Sequence, residues 1–156
     1  MLDRLQGFEE RYPDRNRLWG RVLRARILAY EHLDRWAEAE QALPDYVRRD
    51  SQGAGATLQG LFDSIRGEIE QLGRQGRTED LQRKNAAALV LARRIQEWAR
   101  AADSDVGPDG QYAVDLQLGE ALLRAGAFAE ARDVFARCAA TDAQRFEDRR
   151  PRDFQA

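Results

Sequence analysis

The residues able to do chemistry in this sequence are few and far apart. His32 is the only histidine and Cys138 the only cysteine among 156 residues. A Ser-His-Asp relay built on His32 needs a sharply presented serine, and no Gly-x-Ser-x-Gly string supplies one. In the polar string Glu31-His32-Leu33-Asp34, His32 reads as a surface histidine near a helix end. Cys138 has no evident base beside it, and a lone cysteine excludes an internal disulfide and any Cys-x-x-Cys metal knuckle. It reads as a small packing residue. Carboxylates spaced by two, Glu38 and Glu40 or Glu68 and Glu70, diverge on a helix and form neither an acid pair nor a metal site. Gly53 and Gly55 precede a helical stretch, but Gly-Ala-Gly-Ala-Thr lacks the lysine of a phosphate-binding loop. The chain is therefore expected to be no enzyme, with no cofactor and no metal.

What remains is the scaffold. Apolar residues make up 43 % of the chain and charged ones 33 %, with only 4 prolines. Ala, Leu, Glu, Gln and Arg dominate over the β-branched types, a helix-forming composition. One domain is expected, long enough to bury a continuous core. Lys84 is the only lysine, so 24 of the 25 basic residues are arginines, and 27 acidic residues are interleaved with them. With a formal net charge of -2, no run of like charge builds the one-signed field that phosphate backbones require, so no nucleic acid is expected. No stretch approaches the roughly 20 apolar residues of a membrane span, and the opening Met-Leu-Asp-Arg-Leu-Gln has no apolar signal core. A cytoplasmic protein, or a segment cut from one, is expected.

Hydrophobic period divides the chain into a short leader helix at 2–11 ending at Tyr12-Pro13, three helix pairs at 17–49, 57–102 and 111–140, and a charged, frayed tail at 143–156. The clearest stripe is Leu58, Leu61, Phe62, Ile65, Ile69 and Leu72, with steps of three and four. Thr57 is expected to cap it, and Gly73 and Gly76 to end it. Thr78 should cap the next helix, which buries Leu81, Ala88, Leu91, Ile95 and Trp98. Asn16 is the candidate cap for the first long helix, with Leu18, Val22, Ala25, Ala29 and Leu33 inward. Trp36, Ala39, Leu43, Tyr46 and Val47 face inward on the second, where Pro44 should kink or restart the helix. Ser51 to Gly55 is expected to be a flexible connector, and Asp103 to Gly110 a polar loop. No alternating pattern announces a strand.

The pairs are alike. Residues 118–142 read LGEALLRAGAFAEARDVFARCAATD, and residues 26–43 read RILAYEHLDRWAEAEQAL. Tyr30 falls where Leu122 does, Trp36 matches Phe128, Ala39 matches Ala131, and Leu43 matches Phe135. Asp34 takes the place of the turn glycine Gly126, and aspartate tolerates the left-handed conformation better than most residues. Gly119 and Ala131 are small where two antiparallel helices should touch, and Phe128 and Phe135 are expected to fill the space between neighbouring pairs. Leu118-Gly119, Leu122, Gly126, Phe128 and Ala131 resemble the tetratricopeptide repeat. The likeness is closest over 112–142, weaker over 22–47, and weakest over 57–102, whose turn at Leu72-Gly73 reads as carrying extra residues.

The resemblance implies an all-α fold of antiparallel helix pairs stacked as a short right-handed solenoid. It also implies a protein-interaction scaffold whose concave face is lined by the first helix of each pair. Matching residue by residue, that face holds Arg21, Arg24, Leu28, Glu31 and His32 on one helix, and Ala113, Leu116, Gln117, Glu120 and Arg124 on another. Leu28 and Glu120 stand where some family members carry the asparagines that clamp a peptide C-terminus, so tail-clamping of that kind is not expected. The expected partner is a protein or peptide with acidic residues near an apolar anchor that meets Leu28 or Leu116. The alternative is self-association as a homodimer, along a seam formed by Trp98 and its long helix.

Overall fold

The computed structural model describes residues 16–101 and 106–148, and among these every regular element is a helix. In chain order they are α1 (Asn16–His32), α2 (Trp36–Arg49), α3 (Ser51–Gln75), α4 (Thr78–Ala99), α5 (Pro108–Arg124) and α6 (Phe128–Asp148). The leader helix, the loop at 102–105 and the tail beyond 148 lie outside the described residues, and Asn16, the expected cap, is the first described residue of α1. α1 packs on α2, α3 on α4 and α5 on α6, while α4 also packs along α5 and α2 touches α3 and α4. Helices only two or three residues apart that pack along their lengths must run antiparallel.

All three pairs close with one turn. A single residue adopts positive φ in each: Asp34 at 54°, Gly76 at 67° and Gly126 at 80°. The next N–H reaches back to the carbonyl five residues earlier, Arg35 to Tyr30 at 2.8 Å, Arg77 to Leu72 at 3.2 Å and Ala127 to Leu122 at 2.9 Å. This is a helix-ending motif that satisfies carbonyls the helix leaves bare. Each new helix then opens in the same register, with Ala39 bonded to Arg35, Leu81 to Arg77 and Ala131 to Ala127. Aspartate at 34 does serve as the turn residue. The central turn carries no extra residues: Gly76 ends α3, Gly73 stays inside the helix, and Thr78 is the first residue of α4 after the cap Arg77, with no side-chain cap bond.

The junction of α2 and α3 overturns another expectation. Residues 51–56 are the first turns of α3, not a connector. Asp50 caps them, its Oδ1 accepting from the Gly53 N–H at 3.1 Å. Thr57 is no cap but a buried residue inside the helix, accepting from the Tyr46 hydroxyl at 2.8 Å. The glycines serve contact. A Cβ on Gly55 would lie 2.3 Å from the Trp98 ring, so only glycine lets α3 and α4 approach there. Pro44 does not break α2, which runs through it. Leu43 and Tyr46 beside it are wholly buried, and that packing outweighs one lost backbone bond.

Two stripes compete on α1, and the heavier one wins. Trp19, Leu23 and Ile27 are the buried set, whereas Leu18 is 37 % and Leu33 57 % exposed. Trp19 carries far more apolar area than Leu18, and the Arg49 guanidinium covers its ring at 5.3 Å. These residues join Leu43, Leu58, Ile65, Leu91, Ile95 and Leu122 in one core cluster running through all three pairs. α6 continues to Asp148, so residues 143–148 are helical and not frayed. Alanine, glutamine and arginine favour helix, and no breaker occurs before Pro151. α5 begins at Pro108, a natural first helical residue, ahead of the expected start.

In the third pair Gly119 and Ala131 do mark a close approach. A Cβ on Gly119 would lie 2.7 Å from the Phe135 ring, and Ala131 is 1 % exposed. Phe128 fills no space and stands 67 % exposed. Replacing Ala131 by Leu should overpack this contact and lower stability by about 1–3 kcal/mol. Urea unfolding checks this, and an unchanged midpoint would mean that the α5–α6 contact yields freely.

Candidate functional site

Neither reactive side chain gathers a site around it. His32 is the exposed last residue of α1. Cys138 is buried, and burial, aided by the Asp115 and Asp142 carboxylates, pushes its thiol pKa up, away from the reactive thiolate. Among the described residues no three His, Cys, Asp or Glu side chains converge as a metal would need.

The two sets assigned to the recognition face differ in availability. On α1, Arg21, Arg24, Leu28 and His32 are exposed, Leu28 by 41 %, and Glu31 is half-buried. Among the described residues neither Arg21 nor Arg24 meets a carboxylate. On α5, Leu116 packs against the core and Gln117 is half-buried, its Nε2 enclosed without an acceptor. Glu120 and Arg124 are exposed but lie 3.8 Å apart and face each other's charge. Ala113 is exposed. So α1 offers open cations flanking an open leucine, whereas α5 has largely satisfied itself.

At its C-terminal end the α1 face runs into a cleft of about 490 Å³ between the first two turns. Glu31, His32, Asp34 and Trp36 form one wall, and Glu68 and Lys84 belong to the other. Glu31 accepts from the Ser64 hydroxyl at 3.0 Å, tying α1 to α3. Lys84 Nζ lies 2.9 Å from Asp34 and 2.8 Å from Glu68, so one ammonium joins α4 to α3 and to the first turn. Burial pulls its pKa down, but hydrogen bonds to Glu68 and Asp34 outweigh that, and the net shift is upward. Elsewhere on the wall, Asp80 is held below the usual carboxylate range, first by the Arg83 hydrogen bond and then by Arg77. One signal of the cleft is legible in the residues, a single lysine among arginines. A compact ammonium can sit between two carboxylates from different helices, where a planar guanidinium would demand more room.

No family model matches the chain, and neither a curated protein nor a solved structure matches it.

Removing the shared ammonium should be felt in stability. Asp34 and Glu68 are both substantially exposed, so Lys84→Met should cost only about 1 kcal/mol at neutral pH. The folded pKa of Lys84 lies above the ordinary 10.5, so the bridge contributes fully below that value and is lost as pH rises through the folded one. The gap between parent and variant should therefore close at strongly alkaline pH. Urea midpoints measured across this range decide it, and a gap of constant size would remove Lys84 from the fold's electrostatics.

Proposed function

We propose that the chain is a protein-interaction scaffold of the tetratricopeptide type, with its three helix pairs stacked as a short right-handed solenoid. Two things support this architecture. Three antiparallel pairs close with one hydrogen-bonded turn, and Trp-Ala-Glu-Ala and Phe-Ala-Glu-Ala open α2 and α6. The left-handed residues stand at 34, 76 and 126, intervals wider than the roughly 34-residue period of that family. The excess lies in long helices, such as the 25 residues of α3 and 22 of α4.

The observation that carries the binding role is the open stripe on α1. Arg21 and Arg24 have no carboxylate partner among the described residues, and Leu28 beside them is 41 % exposed. In this reading the partner is a protein or peptide with acidic residues near an apolar side chain that seats on Leu28. Leu116, packed against the core, is the poorer anchor. Exposed charges chiefly steer encounter, whereas a desolvated apolar contact governs how long the complex lasts. No helix among the described residues is long and apolar enough to cross a membrane. A cytoplasmic setting goes with this reading.

Arg21→Ala with Arg24→Ala should slow association by roughly tenfold at low salt and flatten its salt dependence, leaving the helical spectrum unchanged. Leu28→Ala should act on dissociation instead. The measurement is binding kinetics at low and high salt, with a partner recovered by co-purification from the native cell. Kinetics unchanged in the double variant would take the site off α1.

A further inference from the structure

The outer face of α6 breaks a pattern that the other second helices obey. α2 is covered by the pair that follows, with the Tyr46 hydroxyl bonded to Thr57 of α3. α4 is covered by α5, where Asp115 accepts from Gln96 and Arg100, and Gln111 reaches the Ala99 carbonyl at 3.4 Å. α6 turns Ala131, Val134 and Cys138 inward. On its opposite side Ala129, Asp133, Ala136, Arg137 and Ala140 are exposed. Phe128 borders that side. In the shared turn register it takes the place of Trp36, which is half-buried and lines the cleft beside α3. Phe128, against which no further helix packs among the described residues, is 67 % exposed.

We infer that this face of α6 is a dimer seam, and that its occupant is α6 of a second copy of this chain, laid antiparallel. The charges argue for a like partner. Asp133 and Arg137 stand one turn apart on the same flank. A twofold axis passing level with residue 135 sets Asp133 of each copy beside Arg137 of the other, two equal ion pairs from one surface. Arg137 has no carboxylate partner within its own chain among the described residues. Asp133 meets only the adjacent Arg132, at 3.0 Å and well exposed, a contact of little energy that a better partner displaces. Such self-complementarity is what a closed twofold contact requires. Ala129, Ala136 and Ala140 present no bulk along the midline, so the helix axes can come to the near end of the usual range of about 8–10 Å. Phe128 lies on the flank of Arg132 and Ala139, where the second copy's helix shields it from water.

This seam lies apart from the one expected at Trp98, whose ring packs over Gly55. It is also separate from the α1 stripe, so either reading can fail alone. Sedimentation of the full chain from low to high micromolar concentration tests it. The parent should pass from 17.8 kDa to twice that mass. Phe128→Ser and Asp133→Arg should each weaken the dimer by roughly tenfold or more. Both sites are solvent-facing in the monomer, and an unchanged helical spectrum shows that the fold is kept. Asp133→Arg combined with Arg137→Asp should restore the dimer, because the exchange rebuilds both pairs. A parent that stays monomeric throughout, or a dimer indifferent to both single changes, overturns the seam. Failure of the double exchange to recover the dimer overturns the antiparallel register.

Discussion

The Asp50 carboxylate sits where α2 ends and α3 begins, and the path of the chain from first pair to second turns on it. Oδ1 takes the Gly53 N–H, and Oδ2 lies 3.3 Å from the Tyr46 hydroxyl, which also reaches Thr57. A side chain on Gly20 would press on Asp50 from α1, its Cβ 2.9 Å away. One acid thus caps a helix, orients a buried phenol and fills a notch in the opening helix. With no loop at this corner, the direction of α3 follows from the direction of α2. The later helices inherit that angle, since α4 returns along α3 and α5 lies along α4.

Much of this was legible in the residues. The period of Leu58 to Leu72 placed α3, and the Trp-Ala-Glu-Ala string placed α2. The glycine at 126 pointed to an aspartate at 34 doing the same work. The misreadings share a cause. Glycines 53 and 55 speak for flexibility when read locally, but the Asp50 carboxylate sits against the first and the Trp98 ring, more than 40 positions away, against the second. Pro44 speaks for a break, and Leu43 and Tyr46 hold the helix through it. On α1 two apolar stripes lie one residue apart, and only the partner helix decides between Leu18 and Trp19. Local propensity is a weak prior wherever packing has a larger energy to spend.

The candidate surface was legible on α1 and not beyond it. Arg21, Arg24 and Leu28 project as their helical spacing requires. Leu116 and Gln117 share the matched positions on α5, but α5 packs against both α4 and α6, which leaves it less free arc than α1, packed chiefly on α2 among the described residues. The cleft left almost no trace in sequence, because its walls come from four elements and its charges from residues 31 to 84. Cleft and stripe are continuous, so α1 presents basic residues near one end and the Glu31 carboxylate near the other. A segment lying along it meets a change of sign, which fixes direction as well as place.

Lys84 has one more consequence. It carries the only side-chain amine in the sequence, it is 16 % exposed, and two carboxylates hold it. Acylating reagents attack a free, unprotonated amine, and the upward shift of its pKa keeps that form scarce. Reaction at this side chain therefore waits for the bridges to part. The molecule thus carries a built-in reporter of the opening of its first cleft, readable from the mass of the peptide that holds Lys84.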